Sequence, residues 1–557
     1  MMNFALYYAG DAYSTATKIM GRQSAGRALM KGVARTWSGT VVRGLGPAAQ
    51  GGRALLAQLQ ADGYAGQVRW SRLPDLQTAR EVGAVYFPSP GPQELAHLRN
   101  RVHPAAFSIM AATFTLSSAG AMDDVAGWVL PPYRPWDALI CISECAKTMA
   151  TQLHEEMRTW WTDEAGPMRF NAPQLPVIPL GVDVPFFVPG PENKLLARQT
   201  LGVAQGESVF LFAGRLSFHA KANPAPLYQA LEQAAQQTPV VCIEAGMFPN
   251  ESIAQAFAAA QKALAPTVRF IHVNGQDEAR YRRAWQAADV FVSLAENIQE
   301  TFGLTPVEAM AAGLPVIVAD WNGYRETIRD GVDGFRVPTV LPPAGAGVDL
   351  ALRHAMEADS YDMFIGRTSM ATVVQPHALA QAVCRLATDA ALRQTMGAAG
   401  QQRAQQAFDW PVVLRQYAAL ATELGEIRLH AAQQKQQPRS WPQRADPFVR
   451  FAHFSSDTMH GNWPVQARPQ AVGRLQALLG LSMVNYAFDP QLLPRESLAA
   501  LLAVLQSGKP HTVNSALKAA GQTSQAGMRA LMWLWKLDLV SVKTIPGVRM
   551  PVLPPVP

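Results

Sequence analysis

Cysteine is scarce in this chain of 557 residues: only Cys141, Cys145, Cys242 and Cys384 are present. No Cys-x-x-Cys pair or nearby histidine cluster completes a zinc pattern, which leaves buried reduced thiols. Long apolar runs are also missing. None reaches the ~18 residues of a membrane-spanning helix. The nearest approach, FSIMAATFTLSSAGAM, is interrupted by polar residues and stops at Asp123-Asp124. The amino terminus, MMNFALYYAGDAYS, lacks a basic segment followed by an apolar signal core. These absences predict a soluble, cytoplasmic protein and leave peripheral contact with the inner membrane face open. Charge is sparse as well, at 16% against 49% hydrophobic residues, which suits globular domains. The net charge of +6 fits an anionic ligand, an anionic membrane or nucleic acid and selects none. Ordinary surface charge explains it equally well. No internal repeat of fixed period is present.

What is present is α/β alternation. The strand NFALYYAG leads through a polar loop into a helix at GRQSAGRALMKGVAR, the opening of a βα unit. GAVYFPSP (83–90) and WDALICIS (136–143) are further strand candidates, and LPVIPLGVDV ends in a glycine turn. A second series follows from about residue 205: VFLFAGRL, VVCIEAG, VRFIHVNG, ADVFVSLAE and LPVIVAD. Nearly continuous apolar runs separated by helical segments predict parallel sheets covered on both faces. The expected architecture is two doubly wound Rossmann-like domains, residues 1–190 and 191–430, facing a cleft at their strand ends. A linker (431–446) rich in Gln, Pro and charge precedes a mainly helical extension, 447–557.

Two carboxylates, Glu300 and Glu308, flank seven residues where a strand gives way to a helix. Thr305-Pro306-Val307-Glu308 has the form of a capping box, which accounts for Glu308 without a ligand. It does not account for Glu300 or for the intervening TFGL. A helix start also suits phosphate, because its free N–H groups and dipole face the anion. Gly303 lets a ligand approach the backbone. Carboxylates on both sides of that start suit a ligand with polyols at both ends and a diphosphate between.

Residues 300–338, ETFGLTPVEAMAAGLPVIVADWNGYRETIRDGVDGFRVP, resemble the family 4 glycosyltransferases, which have the GT-B fold. The resemblance extends more weakly to FAGRLSFHAK (212–221), VIPLGVD (177–183) and FDWPVVLRQY (408–417), and so over most of residues 1–430. It implies a donor site in which Glu300 contacts the sugar and Glu308 the ribose. The backbone at Phe302, Gly303 and Leu304 lies beside sugar and diphosphate, with Gly214 and Thr305 adjoining. Arg215 and Lys221 bind the diphosphate, so Arg215, Lys221 and Glu300 are the implied catalytic set. Two fixed cations aimed at a leaving diphosphate favour the transition state over the ground state.

The resemblance further implies a UDP- or GDP-linked hexose donor and retention of anomeric configuration, with no cofactor and no metal. No Asp-x-Asp is present, and Asp123-Asp124 reads as a helix start. The acceptor is not named by the sequence: a glycan, a lipid-linked sugar, a protein or a small molecule all fit. Oligomeric state is likewise not indicated.

The chain departs from the family pattern in its first half. Phe114, in AATFTLSS, stands where related sequences carry a histidine, and His103 is a nearby substitute. Only Gly10 and Gly21 represent the amino-terminal glycine loop, with Gly10, Asp11, Arg22 and Gln23 as candidates for the cleft wall. Glu296 and Asn297 precede the pair at the strand end and read equally as cleft lining or as a polar loop; Asn322, Gly323 and Glu326 follow the next strand, where a turn explains Asn322-Gly323 equally well. The departures keep open a catalytically weakened protein acting as a binding scaffold. A sugar-nucleotide epimerase or a phosphorylase is the alternative within the fold. A winged-helix reading of the extension brings in Lys518, Arg529 and Lys536 as phosphate contacts, with Trp533 and Trp535 in its core. Nucleic-acid binding is the least favoured reading.

Overall fold

A computed structural model describes residues 2–14, 21–188, 193–432, 437–489 and 492–544. The chain forms two compact units, Met1–Trp441 and Pro442–Pro557.

The larger unit holds two parallel six-stranded sheets. In the first, β1 (Ala5–Tyr7), β2 (Val41–Gly46), β3 (Gln67–Arg72), β4 (Ala84–Phe87), β5 (Ser108–Ala112) and β6 (Ala138–Ile140) are ordered β3-β2-β1-β4-β5-β6. In the second, β7 (Ser208–Ala213), β8 (Val240–Gly246), β9 (Arg269–Asn274), β10 (Val290–Ser293), β11 (Val316–Ala319) and β12 (Gly334–Val337) are ordered β12-β11-β10-β7-β8-β9. Strand order reverses between β1 and β4 and again between β7 and β10. Open α/β sheets bind ligands at such reversals, beyond the carboxyl ends of the strands. VFVS of β10 and VIVA of β11 are buried at every position. LPVIPLGVDV forms no strand. It runs extended and makes single bridges, Cys141 to Val177 and Val182 to Asp409.

The long helical pattern after residue 390 is interrupted. The helix Ala390–Arg403 passes through a π turn at Ala404–Phe408, and a new helix runs Trp410–Ala432. Asp409 holds the break, because both its oxygens accept from the Arg35 guanidinium at 2.6 Å. The new helix follows the second domain in sequence but packs into the core of the first. Trp410, Val413, Tyr417 and Leu424 lie among Leu6, Met30 and Val33. Gly32 and Gly181 make room for Trp410, since a Cβ on either would fall 2.4 Å from its side chain. Asp123 and Asp124 do not begin a helix. They lie in the second half of Ala119–Ala126, which starts at the Ser118 cap.

The smaller unit packs the helices Arg495–Leu505, Val513–Ala519 and Gln525–Lys536 on a three-stranded antiparallel sheet. That sheet is ordered β16 (His511–Thr512), β15 (Pro464–Ala467), β17 (Val540–Val542). Trp533 and Trp535 pack against its core. Lys518 and Lys536 are exposed, and Arg529 Nε donates to Leu492 O at 3.0 Å. Among the described residues, no helix is long and apolar enough to cross a membrane.

Candidate functional site

The reversal between β7 and β10 brings together two loops. One leaves β7 through Gly214 (φ +144°) into Arg215–Lys221, and the other runs from Leu294 to Gly303. The following helix, Leu304–Ala311, starts on Gly303 at φ +90°. A Cβ at Gly303 would lie 1.9 Å from the Tyr324 ring, and one at Gly323 would lie 2.6 Å from Phe302 Cα. The turn is therefore clamped between Tyr324 and Gly323. Gly303→Ala is expected to cost about 1–3 kcal/mol from backbone strain before any steric term. The measurement is the unfolding free energy, and an unchanged value would show the clamp to be loose.

This turn overturns the capping-box reading. Gly303, not Thr305, is the cap residue, and no side chain caps the helix. Thr305 already lies inside the helix, with its buried Oγ1 unpartnered. Glu308 is then two residues too far along to reach back. Glu300 instead serves the turn, accepting from the backbone N–H groups of Phe302 and Gly303. Its carboxylate also pairs with the Lys221 ammonium and lies 3.5 Å from the Tyr324 hydroxyl. Burial alone would raise the Glu300 pKa. Lys221 and the two N–H groups outweigh it and hold the carboxyl below its ordinary range.

Glu308 is half-buried, and among the described residues its carboxylate has no hydrogen-bond partner, only its backbone carbonyl accepting from Ala312 N at 2.9 Å. Burial pushes it up to about 7, partly offset by Lys221. Its charge is also felt by the half-buried Tyr281 hydroxyl. Arg215 Nη2 donates to Gln299 Oε1 at 2.6 Å and to Ala220 O at 3.2 Å. Lys221, paired with Glu300 and felt at Glu308, thus stands on the same loop as Arg215, facing the helix start.

Glu296 and Asn297 brace the loop. The Glu296 carboxyl, pushed up to about 7 by burial, accepts from Asn223 N at 3.1 Å. Asn297 donates to His219 O and accepts from Gln299 N, both at 2.8 Å. Both side chains are buried, at 6% and 2% exposure, so they hold the site's loops together instead of lining it.

The first domain meets this site directly. Ser143 Oγ donates to Thr301 O at 2.9 Å, and Thr301 Oγ1 donates to Phe114 O at 2.8 Å. The turn at Asn322-Gly323 does more than reverse the chain. It aims Glu326 at the helix Glu144–Ala165 of the first domain, where its carboxylate accepts from Glu144 N at 2.8 Å and Cys145 N at 3.2 Å. Phe114 packs against both domain cores. His103 does not stand in for a histidine there. Its Nδ1 accepts from Ala105 N at the end of the helix Gln93–Val102, in a hollow shared with Gln77, Arg80 and Glu81. Gly10 and Asp11 are exposed in a short 3-10 turn beyond β1, where Asp11 lies 3.6 Å from Arg22. Gln23 is buried beneath them, its Oε1 unpartnered. Sequence reasoning missed Gln299, Thr301, Ser143 and the role of Glu326. Only Ser143-Glu144, an ordinary helix-cap signature, gave a local signal.

Among the described residues, no group of three or more His, Cys, Asp or Glu side chains could hold a metal ion.

Residues 193–344 match the family model described as glycosyl transferases group 1. The chain is similar to a D-inositol 3-phosphate glycosyltransferase of Nocardioides sp., 34% identical over 202 residues, covering 33% of this chain and 41% of that one. A D-inositol 3-phosphate glycosyltransferase of Geodermatophilus obscurus is 37% identical over 172 residues, covering 29% and 36%. The chain thus spans about two fifths of the length of the curated relatives it matches. The crystal structure of HepE from Anabaena in complex with UDP superposes with a TM-score of 0.50 at 18% identity, over 75% of this chain and 99% of that one. The paired doubly wound domains are therefore a GT-B fold.

Proposed function

We propose that the chain is a retaining glycosyltransferase that moves a hexose from a UDP- or GDP-linked donor to a hydroxyl-bearing acceptor, without a metal ion. The observation that carries this reading is the Lys221–Glu300 pair set on a helix start beside Arg215, at a strand-order reversal. Both cations are held by neutral or anionic side chains that a diphosphate can replace. Arg215 and Lys221 then face the bridging and leaving oxygens, and the N–H groups of the helix start add a second source of positive potential. Glu300, ionised and fixed by three donors, accepts from sugar hydroxyls. Those donors take up most of its acceptor sites, which weakens it as a nucleophile and leaves room for a sugar hydroxyl. Retention is then accounted for by acceptor attack on the face the diphosphate leaves, with a phosphate oxygen taking the acceptor proton. Glu308 has free acceptor sites for a ribose diol. The match to UDP-bound HepE makes uridine donors the first to test.

The test is turnover of a panel of UDP- and GDP-sugars, with the product anomer read by NMR and the assay repeated in chelator. No binding of any nucleotide sugar would sink the proposal. An inverted product would remove retention, and activity lost in chelator and restored by manganese would remove metal independence. A second reading, a nucleotide-sugar-binding protein without turnover, is favoured by the apolar wedge at Phe114. Tight binding without turnover on any donor would select it.

A pH dependence follows from Glu308. Ribose hydroxyls donate more strongly to the carboxylate than to the acid, which keeps fewer acceptor sites, so binding favours the ionised form. The free group is raised to about 7. UDP affinity is therefore expected to climb with pH up to about 7 and level off above it. Calorimetry on the chain and on Glu308→Gln checks this. A flat profile in the unmodified protein, or an unchanged slope in the variant, contradicts the assignment.

A further inference from the structure

Between β12 and the helix Pro376–Thr388 the second domain carries an excursion. It consists of a two-stranded ribbon, β13 (Thr339–Val340) with β14 (Val373–Val374), and the helices Val348–Ala355 and Tyr361–Met370. Its corner is built firmly. Asp359 accepts from Arg353 Nε at 2.9 Å, Arg353 Nη2 at 3.0 Å and Arg367 Nε at 3.1 Å. His354 stacks on Phe364 with ring centroids 4.7 Å apart. The next residue, Ser360, caps the second helix by accepting from Met363 N. That helix also abuts the Arg215–Lys221 loop, where a Cβ on Gly366 would sit 3.2 Å from His219 Cβ.

This corner delivers the Tyr361 hydroxyl to a junction of three segments. It lies 2.8 Å from Ser117 Oγ and 3.1 Å from Thr115 Oγ1, both in the first domain, and accepts from Gln299 Nε2 at 3.3 Å. The other end of the same Gln299 carboxamide accepts from Arg215. A single chain of hydrogen bonds therefore runs from the donor-side guanidinium to the first-domain loop after β5.

We infer that Tyr361 is a positioning residue that reports donor occupancy at Arg215 to loop 113–117 on the acceptor side. This rests on the donor-site reading given above. When a diphosphate engages Arg215, Gln299 Oε1 loses its partner and the carboxamide is free to turn. Its Nε2 and the Tyr361 hydroxyl then exchange partners, and Thr115 and Ser117 are re-paired. Neither group contacts the diphosphate, so removing the Tyr361 hydroxyl leaves donor binding intact while loosening the first-domain loop. Because coupling is reciprocal, an acceptor that orders that loop must alter affinity for the nucleotide by the same factor in the unmodified chain, and not in Tyr361→Phe, where the connection is cut.

The experiment uses the full chain, Tyr361→Phe, and the double variant Thr115→Val/Ser117→Ala, with UDP and GDP as probes. Both variants are expected to bind UDP or GDP within about twofold of the unmodified chain. Hydrolysis of the matching nucleotide sugar is expected to show kcat lowered roughly tenfold with KM little changed. Combining the variants should add nothing further, since they cut one chain of bonds. Hydrogen exchange at residues 113–117 should respond to the nucleotide in the unmodified chain and not in Tyr361→Phe. An unchanged kcat in Tyr361→Phe, additive losses, or the same nucleotide response in both proteins overturns the inference. If neither nucleotide binds the unmodified chain, the donor-site reading fails and the inference fails with it. Exchange at 113–117 in ligand-free Tyr361→Phe then shows separately whether the contact between domains is real.

Discussion

Lys221→Ala is expected to lower turnover of the preferred nucleotide sugar by about 10²–10³-fold, the scale of removing one fixed electrostatic donor from a transition state. Lys221 is the cation paired with Glu300, and its charge is also felt at Glu308. The loss should fall mainly on kcat, because charge on the diphosphate grows as the sugar–phosphate bond breaks. Lys221→Arg should recover part of it, since a flat, wider guanidinium keeps the charge but not the compact ammonium position. Lys221→Ala has a second signature in stability. In the unmodified chain Glu300 is held below its ordinary pKa, so its pairing stabilises the fold above the unfolded carboxyl pKa, and this is lost as pH falls through the lower folded value. Without Lys221, burial becomes the dominant influence and raises the carboxyl instead. The variant then loses stability as pH rises above the unfolded value. The stability gap between the two proteins should therefore be small in acid and widest near neutrality. A gap independent of pH would mean that the pair is not formed in solution, and an unchanged kcat would remove Lys221 from the chemistry.

The second domain was the more legible half for a physical reason. Its central strands are buried on both faces, so β10 and β11 read as uninterrupted apolar runs. In the first domain, β3 is an edge strand, and QVRWSR alternates polar and apolar residues with little to set it apart from a loop. β2 escaped for another reason. Its Gly44 and Gly46 look like turn residues, yet they are small because Trp70 of β3 and Leu55 press on them. Spacing found Glu300 and Glu308 but exchanged their structural duties, because Gly303 starts the helix two residues before Thr305. The open acceptor is thus Glu308, and the carboxylate with a structural duty is Glu300. Gln299, Glu326 and Tyr361 were illegible because their partners, Arg215, the helix at Glu144 and Ser117, lie 84, 182 and 244 residues away in the chain. No local pattern encodes such pairs.

Arg99→Met is expected to destabilise the larger unit by about 3–5 kcal/mol, the cost of stranding one member of a buried ion pair. Arg99 and Asp137 are both wholly buried and meet side by side, Nη1 to Oδ1 and Nη2 to Oδ2. Arg99 Nη1 also donates to Phe107 O at 3.0 Å, and Nη2 to Pro132 O at 3.2 Å. Asp137 accepts from Ile109 N at 2.9 Å and Arg134 N at 2.8 Å, so it cannot be replaced by an apolar residue without orphaning two backbone groups. Methionine fills much of the volume, which leaves the uncompensated carboxylate as the main penalty. Arg101→Met is the control, being exposed on the same helix and expected to shift stability by no more than about 0.5 kcal/mol. Because the chain has two compact units, a single unfolding midpoint is not sufficient. Urea unfolding should be followed by hydrogen exchange at β5 and β6, where the loss must appear if the pair is responsible. These strands deliver Phe114, Thr115, Ser117 and Ser143 to the second domain, so the damage should reach function as well. At a urea concentration that leaves the unmodified protein native, Arg99→Met should show faster exchange at 113–117 and lower turnover, with the exchange of β10 and β11 unchanged. Equal stability of Arg99→Met and the unmodified chain would mean that the pair is solvated, and the first sheet would then have to owe its order to apolar packing alone.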